Sequence, residues 1–144
     1  MDCNEFISSM KSHGALFAPP APQNAVILAN NALQNIHAAI LPKFIIELYT
    51  KCSAINLGNG YIFGPTEVKR GTHHPIPSIV QINSDLSSIP SMRGKTIFGR
   101  NDLFWFGFDT FGNCFMLDNL NLNILRKYDN PWQSVTDCLL AGKL

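Results

Sequence analysis

Two adjacent histidines, His73 and His74, are the first residues that invite a chemical reading, because paired imidazoles can hold a metal. Chelation needs a third ligand at a workable spacing, and none stands near them, so a surface loop pair is the expectation. Four cysteines, Cys3, Cys52, Cys114 and Cys138, lie far apart with no Cys-x-x-Cys among them. None sits beside a base or at a clear helix N-terminus, where a thiolate nucleophile is made. Asp102, Asp109 and Asp118 offer carboxylates, but nothing marks two of them as an acid/base pair. The run GNGYIFG (58–64) has glycines, yet it follows a helical segment and leads into strand and loop, unlike a phosphate loop. No catalytic, metal or cofactor constellation emerges. Binding without catalysis is the expectation, with a small Cys/His hydrolase as the remote alternative.

The densest feature is LFWFGFDTFGNCFMLD (103–118), which holds five Phe and one Trp. Base stacking needs aromatics beside Lys or Arg. Here the flanking charges are Asp102, Asp109 and Asp118, which repel phosphate, so nucleic acid is not an expected partner. The pattern instead predicts two strands around a tight turn. Alternation places Phe104, Phe106 and Phe108 on one face and Trp105 on the other. Phe115 and Leu117 share a face, and pairing them with the Phe104–Phe108 face predicts one continuous apolar layer. Asp109 can take backbone N–H bonds in the turn, and Gly112 can occupy a positive φ. Trp105, opposite the Phe layer, keeps a claim to touching a partner.

The elements around this hairpin follow from periodicity. A short helix is predicted over 4–13, then a stiff APPAP linker (18–22) that holds the first segment away from the next. A second helix is predicted over about 24–39, and a third over 41–52, with Leu41 and Pro42 at its start. Beyond it, YIF before Gly64, SIVQIN (78–83), TIFG (96–99), the hairpin and 120–128 read as strands. The last helix starts at Pro131 behind Asn130, with Gln133 at the capping-box position, Trp132 inward and Gly142 at its end. Strands joined without helices must pair antiparallel, so the fold class is α+β: N-terminal helices, a mainly antiparallel meander, and a C-terminal helix packed on the sheet.

The chain has 144 residues, 15% of them charged, with a net charge of +1. That gives no global field for nucleic acid or membrane. Basic residues gather modestly between Lys43 and Arg100. No apolar run spans a bilayer, no basic leader begins the chain, and scattered cysteines suit a reducing compartment, so the cytoplasm is the expected location.

The order of motifs resembles the SUKH superfamily, which includes the eukaryotic Smi/Knr regulators and many bacterial immunity proteins. LPKFIIELY (41–49) is similar to its Leu-Pro helix, and YIFG (61–64) to its first strand. FDTFGNCFMLD (108–118) is similar to its Asp-x-x-Gly hairpin, and NPWQSVTDCLLAG (130–142) to its closing helix. Where the family often has Asn-Gly-Gly after the Leu-Pro helix, this chain has Cys52-Ser53-Ala54. The resemblance divides the chain into residues 1–22, a helix and linker, and a single SUKH-like domain over 23–144. It implies an immunity protein that binds and neutralises a cognate toxin domain, often a nuclease, or else a general interaction module of the Smi/Knr type. Leu41, Pro42, Gly64, Phe106, Asp109, Gly112 and Trp132 are the expected structural positions. Arg93, Lys95 and Arg100, with Trp105 as an anchor, are the expected contact residues for a partner.

Overall fold

In a computed structural model of the chain, residues 1–69 and 75–140 are described. Three helices, α1 (Cys3–Ser12), α2 (Gln23–Asn35) and α3 (Lys43–Tyr49), dominate the first third of the chain, with one two-residue strand between the first two. Seven strands follow one another across a single antiparallel sheet. They are β1 (Leu16–Phe17), β2 (Ile55–Leu57), β3 (Gly60–Ile62), β4 (Lys95–Arg100), β5 (Phe104–Asp109), β6 (Cys114–Asp118) and β7 (Ile124–Tyr128). A fourth helix, α4 (Ile79–Leu86), lies between β3 and β4, and α5 (Pro131–Leu140) closes the described chain. The fold class is therefore α+β, with α5 packed on the sheet. No helix among the described residues is long and apolar enough to cross a membrane.

The N-terminal segment does not stand apart. Phe6 and Met10 of α1 are fully buried, and the Phe6 ring meets Trp132 of α5 at 5.4 Å between centroids. The proline-rich stretch is tied down rather than extended away. Ala21 N–H donates to the Tyr49 carbonyl, Ala18 N–H to that of Ala54, and Ser53 N–H to that of Pro19, all within 3.0 Å. These bonds override the stiffness that suggested a stand-off linker.

The helices differ in detail from the periodicity. α2 stops at Asn35, and His37 takes φ 61°, so the chain has left the helix before Ala39. α3 begins after Pro42, which caps it, and Leu41 is held by its N–H donating to Asn30 Oδ1 at 2.8 Å. At α5, Asn130 Oδ1 accepts from Trp132 N–H at 2.9 Å, whereas the Gln133 amide donates to Asp137 instead of closing a capping box. Gly142 lies outside the described residues.

SIVQIN is not a strand but the first part of α4. Ser78 accepts from Gln81 N–H, and the Gln81 side chain accepts from Ser78 N–H, a reciprocal cap that fixes a helix start. The reason lies in the edge of β4. β3 pairs with β4 only at Tyr61–Arg100 and Ile62–Gly99, and Phe63 N–H makes a last bond to the Phe98 carbonyl at 2.8 Å. The chain then turns at Gly64, where a Cβ would lie 1.5 Å from the Ser53 carbonyl oxygen. Ile97 is left with no strand neighbour on that side. Asn83 of α4 replaces it: its amide accepts from Ile97 N–H at 2.8 Å and donates to the Ile97 carbonyl at 2.9 Å.

The hairpin has a register the sequence reading did not place. Phe108 faces Cys114, Phe106 faces Met116, Gly107 faces Phe115 and Trp105 faces Leu117. Directly opposed residues share a face, and a shift of one residue exchanges all of them. Phe115 and Leu117 therefore lie with Trp105, not with the Phe106–Phe108 face. The sheet is apolar on both sides here, since Phe106, Phe108, Phe115 and Leu117 are all buried. On the Phe108 side, Phe98 stacks on Phe108 at 6.2 Å, and Phe44 meets both rings and Trp132 edge-on. Burial of each Phe is worth about 1.5–3 kcal/mol.

Three substitutions test this account by urea denaturation. Phe106→Ala is expected to cost about 3–5 kcal/mol. Asn83→Ala should cost roughly 2–6 kcal/mol, because a buried N–H and a buried carbonyl both lose their partner. Gly99→Ala should cost about 1–3 kcal/mol, since its Cβ would meet the Tyr61 carbonyl oxygen at 2.6 Å and Cys138 Sγ at 2.9 Å. Wild-type stability in the Asn83 variant would remove its role at the β4 edge.

Candidate protein-interaction face

The face of the sheet opposite α5 is built by strand parity. Gly60 and Gly99 point toward α5, where a Cβ on either would press on Cys138 or Leu139. Their neighbours Tyr61 and Arg100 therefore point away from it. The register places Tyr61 opposite Arg100, Arg100 opposite Trp105, and Trp105 opposite Leu117. One rung across four strands thus carries Tyr, Arg, Trp and Leu in line, with directly opposed Cβ atoms about 4.5–5.5 Å apart. Lys95 and Lys127 join the same face at other rungs, opposite Asp109 and Phe115.

Of the four expected contact residues, the structure sets Arg100 and Trp105 side by side, with Lys95 on the same face at the far end of β4. Arg93 follows a short 3-10 turn (Pro90–Met92), and with Lys95 it edges a separate crevice of about 10 Å³ beside Ile36, Asn83 and Met92. Tyr61 and Lys127 belong to the face but were not singled out by sequence. Tyr61 sits in a three-residue strand, and only register assigns it to Arg100.

The turn between β4 and β5 sets that register. Asn101 Oδ1 accepts from the N–H groups of Leu103 and Phe104, both at 2.9 Å, while its amide donates to the Cys138 carbonyl at 3.2 Å. Asn101 is buried. It therefore locks the hairpin to α5 between the two residues that must stand side by side, Arg100 and Trp105.

Two clefts flank the rung, and Tyr61 and Arg100 line both. One, of about 350 Å³, is walled by Phe63, Pro75, Ile76 and Pro77. The other, of about 310 Å³, is edged by Asn59, Asn101, Asp102, Trp105 and Asn119. Phe63 and Ile76 are buried, so the first cleft has a fixed apolar floor.

The charges divide cleanly. The ion pair among the described residues is Arg126 with Asp137, at 3.0 Å, on the α5 side. Lys95, Arg100 and Lys127 have no described carboxylate within 4.0 Å. The hairpin carboxylates, by contrast, are engaged. Asp109 accepts from Phe111 and Asn113 N–H, Asp118 from Leu120 and Asn121 N–H, and Asp102 from the Asn59 amide. Asp109 and Asp118 act as turn caps and Asp102 ties its turn to Asn59, and Gly112 takes φ 80° within the Asp109 turn.

The cysteines are buried, unpaired thiols. Burial raises the Cys52 thiol to about 12, with Cys3 adding to it, and raises Cys114 to about 11. Burial likewise lifts Cys138 well above the ordinary thiol value. These groups are protonated near neutral pH, and Cys114, though almost fully buried, borders a cleft edged by Asp109, Asn113 and Tyr128. Among the described residues, no group of three His, Cys, Asp or Glu is placed to hold a metal. His73 and His74 lie outside the described residues.

No protein-family profile, curated protein or solved structure matches the chain. A raised thiol pKa means that the folded state holds its proton more tightly than the unfolded chain. Its stabilising contribution is whole below about 9 and is lost as pH climbs toward about 11 and 12. Native protein at pH 8 should therefore leave Cys52, Cys114 and Cys138 unmodified by a thiol-reactive dye, and its urea midpoint should fall as pH rises above about 9. Rapid labelling of native Cys114 or Cys138 at pH 8 would contradict the burial.

Proposed function

We propose that the chain is a non-catalytic protein-binding domain whose role is that of an immunity protein, neutralising a cognate toxin by covering an essential surface. The observation that carries the binding reading is the Tyr61–Arg100–Trp105 rung. Trp, Tyr and Arg are the residue types that dominate binding energy at protein interfaces. Here they stand in line on β3, β4 and β5, on the sheet face opposite α5. Two clefts flank them, and Arg100 is exposed without a described carboxylate partner. The toxin-neutralising role draws its support from the motif order of the SUKH superfamily, in which bacterial members act in this way.

A rigid strand scaffold favours this use. Strands β3 to β5 hold the three side chains without ordering a loop, so association costs less conformational entropy. Exposed Leu120, in the β6–β7 turn at the Trp105 end of the sheet, extends the surface that a partner could cover.

The test is co-expression with the protein encoded beside it. The wild-type chain should restore growth and co-purify with that protein. Arg100→Glu and Trp105→Ala should each weaken the complex by about 2 kcal/mol or more, close to thirtyfold, while far-UV circular dichroism stays unchanged. Full affinity in both variants would move the interface to another face, and failure of the wild-type chain to protect or bind would remove the immunity reading.

A further inference from the structure

We infer that the partner segment received by this face is an acidic residue next to an apolar one, the carboxylate on Arg100 and the apolar side chain in the Phe63–Ile76 cleft. The inference rests on the protein-binding reading above and names the partner's chemistry.

Arg100 is the centre of the argument. It lies between the two clefts and lines both. Its guanidinium is a planar, permanently charged fork that matches a carboxylate through two parallel N–H bonds. Carboxylates of the chain itself are not within 4.0 Å among the described residues. Asp102, the nearest acidic group of the cleft wall, is already bonded to the Asn59 amide at 2.6 Å. The charge of Arg100 is therefore available to an anion from outside.

The flanks distinguish the kind of anion. A phosphate chain would want several cations in succession, and Asp102 edges one cleft while Asp109 faces Lys95 across the sheet. A single carboxylate needs only the one guanidinium. On one side of Arg100 the rings of Pro75, Pro77 and Tyr61 stand over buried Phe63 and Ile76 and offer apolar surface to a neighbouring side chain. On the other side stand Asn59 and Asn119, whose amide nitrogens donate to Asp102 and whose amide oxygens can accept from the backbone N–H groups of a crossing segment. The two walls differ in character and meet at the Tyr61–Arg100 rung. They thus read an acid and its apolar neighbour in one orientation.

The proline walls add rigidity. Pro75 and Pro77 flank Ile76, whose N–H and carbonyl both bond to Val68, so the cleft wall is braced from behind. Little ordering is left to pay for on binding.

The probe is a phage-displayed random-peptide library selected on the full chain, followed by affinity measurement of the best peptide by fluorescence anisotropy. Enriched peptides should carry Asp or Glu beside a large apolar residue. Changing that acid to its amide, or Arg100→Gln in the protein, should each reduce affinity about tenfold or more. The two changes together should cost no more than either alone, as for groups that touch. Absence of enrichment, enrichment without a carboxylate, or losses that simply add would overturn the inference. If the chain protects cells while its selected peptides lack an acid, the protein-binding reading stands and this one falls. If acid–apolar peptides bind with the Arg100 dependence but the chain protects against nothing, this inference stands and the immunity role falls.

Discussion

The single constraint on which the interaction face depends is the β-bulge at Phe98. Lys95 and Arg100 are five positions apart on β4, so in a regular strand they would point to opposite faces. The pairing with β5 shifts between Ile97 and Gly99. The extra residue, Phe98, keeps its ring on the α5 side against Phe108 and Phe44, and Gly99 follows on that same side opposite Phe106. Parity is thereby reset, and Arg100 emerges opposite Trp105. A bulge bends and twists its strand and re-aims the side chains beyond it. Gly99 makes this one possible, since any Cβ there would strike the Tyr61 carbonyl and Cys138. Close approach of α5, the bulge and the position of Arg100 are three aspects of one packing solution.

The same region explains why the β4 edge remains intact as β3 departs. A bulged strand that loses a neighbour exposes backbone donors and acceptors, which are costly to bury unpaired. Asn83 supplies one donor and one acceptor to Ile97 from the side of α4, and Thr96 Oγ1 donates to the Ala39 carbonyl at 2.6 Å. Gly94 N–H reaches the His37 carbonyl at 2.9 Å. Side chains and loop carbonyls thus complete the edge where no strand does. Among the described residues, every buried side-chain nitrogen and oxygen has a partner. The cost of ending β3 early is offset by polar groups whose placement depends on α4 being a helix.

Legibility in the sequence tracked how local each cause was. The C-terminal helix was readable because Asn130 and Pro131 act within one turn. The α+β class was readable because strands without intervening helices can only meander. SIVQIN misled because its alternation fits a strand while Ser78 and Gln81 form a helix cap, and the deciding need, the unpaired Ile97, lies on another element. β1 and β2, two and three residues long, exist through pairing and have no period to read. The hairpin's two strands were legible but their mutual parity was not, so Phe115 and Leu117 were assigned to the wrong face. Trp105 was correctly set opposite Phe106, since that inference needs one strand only. Its company of Arg100 was expected, but their direct register and the place of Tyr61 were hidden, because both depend on the bulge between Ile97 and Gly99.

This origin has a consequence for how the face can vary. Loops at a binding surface change sequence with little effect on the core. Tyr61, Arg100 and Trp105 instead stand on strands whose other sides carry Ile62, Gly99 and Phe106, which are packed beneath α5. Each contact position is an alternate residue to a core position, so its direction is set by the packing on the other side of its strand. Tyr61 and Trp105 are themselves half-buried against the core, whereas Arg100 is exposed, so its identity is the freest of the three. Such an arrangement lets partner recognition change by substitution at the rung while the bulge, the α5 contact and the Asn83 closure keep the geometry constant. Charge reversal at Arg100 then alters what is bound without altering what folds.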